Sequence, residues 1–336
     1  MKLKNIFYTF LFLNLLFTNY SYCQKYDAVD AIVLKYPKHF ESPKELANQI
    51  QKDFSFEYDK ARAIYTWMAF NISYDVKTWL NPKPLKSITF KTQLEKDLKL
   101  QEIKNVTIKN VFKKRQAVCS GYSLLFNHLA TLVGLKSDII EGMAKITPDD
   151  IGRRKPIKNH AWNSVLIDGT WRLIDVTWGA GYIANKQGLW VKEFSPFYFD
   201  TPSKIFFTKH LPTSRVWLNG SIDEENFLKA PLLYDEYIDE DYEILEPKTG
   251  IIEAMDKQKM VFKIKNLSRS ENLSYTNKYD VPVQIKSTKD ENKILVFDII
   301  YSRMDGRYIT LFVDGKAIAT FKIIPSAKNQ NLQAKT

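Results

Sequence analysis

The chain has 336 residues, 45% of them hydrophobic and 14% aromatic, with 49 Lys plus Arg against 38 Asp plus Glu and a formal net charge of +11. Only 12 glycines and 13 prolines exclude a collagen-like or low-complexity chain, and two cysteines cannot staple a disulfide miniprotein. What remains is a globular protein with a buried core and room for about two domains.

Lys2 and Lys4 precede an apolar run from Ile6 to Phe17, and Ser21 and Cys23 are small residues placed before a cleavage ahead of Gln24. Residues 1–23 therefore read as a secretory signal, the run being short of the roughly 20 residues of a spanning helix. Cys23 could carry a lipid, but the bulky Tyr20 and Tyr22 make a poor lipobox. The expectation is cleavage to an exported protein, periplasmic, cell-surface or secreted, with no transmembrane segment in the mature chain. Cleavage leaves Cys119 as the one thiol. In an oxidising compartment such a cysteine invites mispairing unless it has a task; the bland alternative is a small buried hydrophobe.

Ser42-Pro43-Lys44-Glu45 has the form of a helix start, with a Ser N-cap, Pro in the first position and Glu placed to complete a capping box. Leu46, Ile50 and Phe54 follow at helical spacing. A second helix is expected over about residues 59–71, with Ala61, Ile64, Tyr65 and Met68 on one face. From Lys83 to Arg115 ten basic residues stand against three acidic ones, and an irregular loop followed by a short helix is expected there. From Ile222 to Glu246 ten acidic residues stand against one lysine. The basic stretch lacks aromatic interleaving and any nucleic-acid motif, so the two segments are expected to face each other or solvent, and no nucleic-acid partner is expected.

After Pro247 the pattern changes to short alternating runs. Met260–Ile264, Val281–Ile285, Ile294–Tyr301, Tyr308–Val313 and Ala317–Ile323 read as strands, with a tight turn at Asp314-Gly315. They predict a small all-β sandwich over residues 251–325, reached through an acidic linker at 231–250 and followed by a disordered tail at 326–336.

Cys119 precedes Ser120 and Gly121, and Leu125, Leu129 and Leu132 then recur at helical spacing up to Gly134. The thiol is thus expected at a helix N-terminus, where free N–H groups and the positive end of the dipole favour thiolate and the Cys119 amide can face an oxyanion. Two β-prone runs, 160–167 and 170–177, are joined by Asp168-Gly169, a two-residue hairpin turn. Counting outward sets Leu166 opposite Trp171, Ser164 opposite Leu173, Trp162 opposite Asp175 and His160 opposite Thr177. His160 and Asp175 then share a face as diagonal neighbours. A carboxylate beside an imidazole fixes its tautomer and stabilises the imidazolium, which a thiolate-activating base requires. If helix and hairpin pack together, Cys119, His160 and Asp175 form a catalytic triad.

The segments Val118-Cys119-Ser120-Gly121-Tyr122, His160-Ala161-Trp162-Asn163, Gly169-Thr170-Trp171 and Leu173-Ile174-Asp175-Val176-Thr177-Trp178-Gly179, in the order Cys, His, Asp, resemble the transglutaminase-like superfamily. Phe197-Tyr198-Phe199-Asp200-Thr201-Pro202, His210-Leu211-Pro212 and Trp217-Leu218 resemble its kyphoscoliosis-peptidase and cytokinesis-protein branch, the likeness covering about residues 50–230. The resemblance implies an α+β fold, a papain-like core in which a central helix bearing the Cys packs on an antiparallel sheet bearing His and Asp. Together with N-terminal helices this core would occupy residues 24–230. It further implies Cys119 as nucleophile, His160 as general base then acid and Asp175 as orienting carboxylate. Trp67 and Trp79 are both candidates for a second oxyanion donor.

Trp162, Trp171 and Trp178 are expected to pack, as is His128, and His210 is expected to make a structural hydrogen bond. Cys119, His160 and Asp175 are zinc ligand types, but with no further Cys or His nearby in the motif neither metal nor cofactor is expected. Two functions fit. One is an exported thiol enzyme that forms a Cys thioester on a protein or peptide substrate, such as a cell-envelope peptide, and passes it to an amine or to water. The other is a non-catalytic envelope binding module on the same fold. Substrate and oligomeric state are not encoded in any motif.

Overall fold

A computed structural model describes residues 26, 28–82, 89–184, 188–218, 223–240, 242–267, 272–277, 281–285, 288–291 and 293–326. The expected signal at 1–23 and, Ser326 apart, the expected tail lie outside the described residues. None of the described helices is long and apolar enough to cross a membrane. The chain divides into two units, Met1–Ile140 with Ala161–Thr201 and Glu141–His160 with Pro202–Thr336. This division falls inside two strands of the expected 24–230 domain rather than at the acidic segment after it.

In the first unit, helix α1 (Pro43–Asp53) starts as expected: the Ser42 hydroxyl accepts from the Glu45 N–H at 3.3 Å. Glu45 reaches one residue further back than a capping box requires, accepting from the Glu41 N–H at 2.6 Å. Helix α2 (Glu57–Asn71) is buried on nearly every side, from Tyr58 to Ala69, rather than along one stripe. Even its Arg62 is only 1% exposed, held by Asp30 at 2.7 and 3.0 Å and ringed by Tyr26, Tyr65 and Phe199. Pairing of this kind is what makes a buried guanidinium tolerable.

Strand β1 (Ser73–Tyr74) and helix α3 (Val76–Leu80) lead to helix α4 (Gln93–Lys114). Instead of a short helix, the basic segment forms one of 22 residues. Thr92 caps it by accepting from the Glu95 N–H at 3.1 Å, Lys113 and Lys114 oppose the negative end of its dipole, and Arg115 ends it in the left-handed region. Its Lys, Gln, Glu and Leu residues are good helix formers, so the charge excess that suggested a loop is compatible with a long helix. Strand β2 (Gln116–Ala117) runs parallel to β1 and delivers the chain into helix α5 (Cys119–Leu132).

Strands β3 (Lys136–Ala144), β4 (His160–Ile167) and β5 (Thr170–Ile174) follow. Asp168 (φ 47°) and Gly169 (φ 75°) make the predicted turn, and Leu166 faces Trp171 and Ser164 faces Leu173 as counted. Pairing stops at Asn163 and Ile174, however, because the chain turns into the short helix α6 (Val176–Gly179). Thr177 is therefore helical and not opposite His160. Strands β6 (Gly181–Ile183) and β7 (Trp190–Lys192) pair beyond it.

The second unit carries helix α7 (Ser203–Lys209) and strand β8 (His210–Pro212), which pairs with Gly142–Ala144 of β3. Helix α8 (Glu224–Lys229), strand β9 (Leu232–Leu233), helix α9 (Asp235–Asp239) and strand β10 (Glu243–Glu246) come next. Strands β11 (Ile251–Ala254), β12 (Lys259–Lys265), β13 (Leu273–Thr276), β14 (Val283–Gln284), β15 (Thr288–Glu291), β16 (Ile294–Ile300), β17 (Tyr308–Val313) and β18 (Lys316–Pro325) complete it. They form the sheets β10-β12-β16-β15 and β11-β18-β17-β13-β14, with β9 also on β18. Phe262 stacks on Phe297 at 5.3 Å and meets Phe321 of the other sheet edge-on at 5.3 Å, so the predicted sandwich closes over aromatic rings.

The acidic segment expected as a linker at 231–250 is instead built into both sheets through β9 and β10. Its carboxylates meet lysines of the same unit, Glu236 with Lys316 (2.8 Å), Glu243 with Lys265 (3.1 Å) and Glu246 with Lys263 (3.0 Å). A linker is read from charge alone, and charge does not reveal that Leu232, Leu233 and Tyr242 are buried.

Lys145 is 1% exposed in this unit; its ammonium donates to the Ala230 carbonyl at 2.5 Å over the Phe227 ring, and burial lowers its pKa to about 7 against the opposing pull of Asp150. The unfolded chain holds this proton up to about pH 10.4, so above about pH 7 the unfolded state binds more protons and stability rises with pH. We predict that the urea midpoint climbs between pH 7 and about 10, where tyrosines begin to ionise, and that Lys145→Met removes most of the climb. A midpoint flat across that range in the parent would show that the amine titrates normally.

Candidate active site

Cys119 is the first residue of α5, with Val118 as its N-cap and no side chain capping the helix. The N–H groups of Gly121 and Tyr122 already close on the Val118 carbonyl, whereas those of Cys119 and Ser120 point out of the helix end, where an anion is favoured. The thiol is half-buried and is not in a disulfide. Three contacts hold the helix end in place. A Cβ on Gly121 would stand 2.8 Å from that of Ala117, so no side chain fits there. The Tyr122 hydroxyl donates to the Ile72 carbonyl at 2.8 Å, and the Asn163 amide donates to the Ser123 carbonyl at 3.1 Å, tying α5 to β4.

Asp175 is fully buried between β5 and α6. Its N–H donates to the Tyr198 carbonyl at 2.9 Å and its Oδ1 accepts from the Trp178 N–H at 3.2 Å, which makes it the N-cap of α6. Gly179, one turn on, lies under Tyr65, with a Cβ there only 1.9 Å from the phenol oxygen. The Tyr74 phenol lies near enough to Cys119 and Asp175 to sense the charge of each. Burial raises its pKa most, followed by the negative charges of Cys119 and then Asp175, so it stays protonated at neutral pH. Its ring stacks on Trp190 at 5.6 Å.

His160 opens β4 and is 6% exposed. Within its unit it lies beside His210, whose ring is wholly buried, 5.6 Å away between centroids. His210 stacks on Phe206 at 4.0 Å, and its Nδ1 is 3.2 Å from the Phe206 carbonyl. A carbonyl only accepts, so Nδ1 carries the proton and Nε2 of the neutral ring is an acceptor. The structural hydrogen bond expected of His210 is present, and the ring is also a neighbour of His160. Two imidazoles are legitimate zinc ligands, and a ligating His ordinarily donates its other N–H to a carbonyl as His210 does, so the further His that the motif lacked is present beside His160.

The remaining aromatics sort by burial. Trp67 has Phe112 stacked at 5.4 Å and the Arg115 guanidinium at 4.3 Å, so its faces belong to the core, while Trp79 is 40% exposed. Trp162 is buried, Trp178 meets Tyr198 edge-on, and Trp171 is partly exposed beneath Lys136. Sequence reasoning missed Tyr74 because it sought a tryptophan. No local signal marks it: what places Tyr74 is the parallel pairing of Ser73-Tyr74 with Gln116-Ala117, two residues ahead of Cys119.

Residues 44–176, from α1 to the first residue of α6, match the family model described as the transglutaminase-like superfamily. The matched region covers the helix that Cys119 opens and the hairpin that leads into Asp175. The chain is similar to kyphoscoliosis peptidase of Mus musculus, 26% identical over 174 residues that make up 52% of this chain and 23% of that protein. It is also similar to the LIM and transglutaminase domain protein ltd-1 of Caenorhabditis elegans, 24% identical over 174 residues, 48% of this chain and 21% of that one. A solved structure described as a TGase is 18% identical, covering 54% of this chain and 43% of its own, with a TM-score of 0.29. The chain thus spans about a quarter of the length of these curated relatives. Its α+β fold and strand-rich C-terminal region accord with the transglutaminase-like assignment.

The packing around Gly179 gives this domain a direct test. Gly179→Ala must displace the Tyr65 ring, at an expected cost of about 1–3 kcal/mol for an overpacked site, seen as a lower thermal midpoint. A variant that melts with the parent would mean the Tyr65 contact is slack.

Proposed function

We propose that this protein is an exported thiol enzyme of acyl transfer. Cys119 is its nucleophile, His160 its general base and then acid, and Asp175 the carboxylate that orients His160. The observation that carries the reading is that α5, which Cys119 opens, packs against α6, which Asp175 caps, with the half-buried Tyr74 close enough to both for their charges to raise its pKa. Supporting it, β4, which begins at His160, is in register with β5, which ends one residue before Asp175.

The Cys119 thiolate attacks the carbonyl carbon of a glutamine side chain or a peptide bond, forming an S–C bond and an oxyanion. The Cys119 amide and the Tyr74 hydroxyl donate to that oxygen, the hydroxyl doing so because its proton is retained at neutral pH. His160 passes its proton to the departing nitrogen as the C–N bond breaks, leaving a thioester. A lysine amine or water, deprotonated by His160, then attacks and releases Cys119. The outcome is crosslinking with an amine and deamidation or hydrolysis with water, on protein or peptide substrates such as cell-envelope peptides.

Incubating residues 24–336 with a pool of glutamine-containing and peptidoglycan-derived peptides plus a primary amine, followed by mass spectrometry, tests the chemistry. Amine adducts, deamidation or shorter peptides are expected, lost by about 10³-fold or more in Cys119→Ala. Tyr74→Phe is expected to lower kcat by about 10²-fold with KM little changed, as for loss of one oxyanion donor. In parallel, iodoacetamide should alkylate Cys119 rapidly below about pH 8.5, with ordinary thiol pH dependence returning in His160→Ala. An unchanged peptide pool together with a thiol that reacts like a model cysteine would point to a binding module instead.

A further inference from the structure

A cavity of about 590 Å³ opens between the start of α1, the C-terminal half of α4 and His128 of α5, wholly within one unit. It is not the proposed active site: His128 is nine residues along α5 from Cys119, about 13 Å of helix axis. The volume is in the range of small-molecule sites. Its floor is apolar, built from the buried Phe40, Ile108 and Phe112. Its cations are Lys109, Lys113 and Arg115, and the one carboxylate on its lining, Glu41, is engaged by His39 Nε2 at 3.2 Å.

Arg115 supplies a second, independent observation. The helix end that sets its backbone left-handed lays its guanidinium on the rings of Trp67 (4.3 Å) and Phe112 (4.5 Å). There Nη1 is buried, and among the described residues it has no hydrogen-bond partner. Burial lowers the pKa of both Arg115 and His128, the penalty of desolvated cations. Nη1 of Arg62 in the core is in the same state and Arg115 Nη1 has almost no accessible surface, so what the lining offers an anion is its three cations against one engaged carboxylate. The floor in turn requires that ligand to bring an apolar body.

We propose that this cavity binds a small amphipathic carboxylate, its aliphatic or aromatic body lying on Phe40 and Phe112 and its carboxylate taken by Arg115 and the lysines of α4. An inorganic anion would leave the floor wet, and a neutral or cationic amphiphile would leave the three cations of the lining without a counter-charge. The site is independent of the acyl-transfer chemistry.

The test uses the full chain and a matched probe pair, 8-anilinonaphthalene-1-sulfonate and the uncharged N-phenyl-1-naphthylamine, followed by fluorescence. The sulfonate is expected to saturate one site, the neutral probe to bind at least about tenfold more weakly, and decanoate but not decyltrimethylammonium to displace the sulfonate. Arg115→Gln should weaken binding, but it alters a helix end, so the exposed pair Lys109→Gln/Lys113→Gln serves as the second variant. It should keep the parental unfolding midpoint and bind the sulfonate and decanoate about tenfold more weakly. Equal affinity for the two probes, failure of decanoate to compete, or parental affinity in the lysine pair variant would each overturn the proposal.

Discussion

The candidate site of this protein rests on how closely helix α5 approaches the chain that precedes it. Gly121 allows that approach, since any larger residue would strike Ala117 and Val111. The same approach seats β2 beside β1 and so brings Tyr74 up to Cys119. Tyr122 then locks the arrangement from inside through the Ile72 carbonyl. A thiol at a helix end is common; here the end is fixed by a missing side chain on one face and a buried hydroxyl on the other. That fixing is what converts a favourable dipole into a defined position.

Local signals carried much of the rest. The Ser42-Pro43 start, the Asp168-Gly169 and Asp314-Gly315 turns with their left-handed backbones, and the register of Leu166 with Trp171 all follow from short-range rules, and the structure has them. What failed to show were features in which tertiary contacts override a local pattern. The period-2 alternation through residues 170–177 looks like an uninterrupted strand, but Asp175 caps a helix turn, and its side chain can do so only because the chain bends there. The basic segment looks like a loop because charge is more visible than propensity. The acidic segment looks like a linker because its few apolar residues, Leu232, Leu233 and Tyr242, reveal their burial only once β12 and β18 are placed beside them. Tyr74 belongs to the same class, since two-residue parallel pairing leaves no periodic trace.

Charge is handled in two ways. In the second unit the pairs Glu243 with Lys265 and Glu246 with Lys263 meet across a sheet near the surface, each of small energetic consequence because solvent screens them. Other cations are drawn inward, Lys145 in the second unit as well as Arg62 and Arg115 in the first, and held by different means. Arg62 is buried with a bidentate partner, Asp30, and Arg115 is laid on aromatic rings; Nη1 of each has no acceptor among the described residues. The difference is one of position, since Arg62 lies in the core and Arg115 on the lining of the cavity.

Asp175 shows why one residue can serve both the fold and the chemistry. A carboxylate with no exposed surface must be supplied with donors or lose its charge. The Trp178 N–H supplies one because Asp175 ends a strand and begins a helix at the same point, and the bond freezes its rotamer. The oxygen so engaged is held by the backbone. Gly179 keeps this helix turn against Tyr65, whose hydroxyl is itself bonded to the Ser195 carbonyl. The orientation of the carboxylate is therefore set by main chain and core packing, so that it is in place before any substrate arrives.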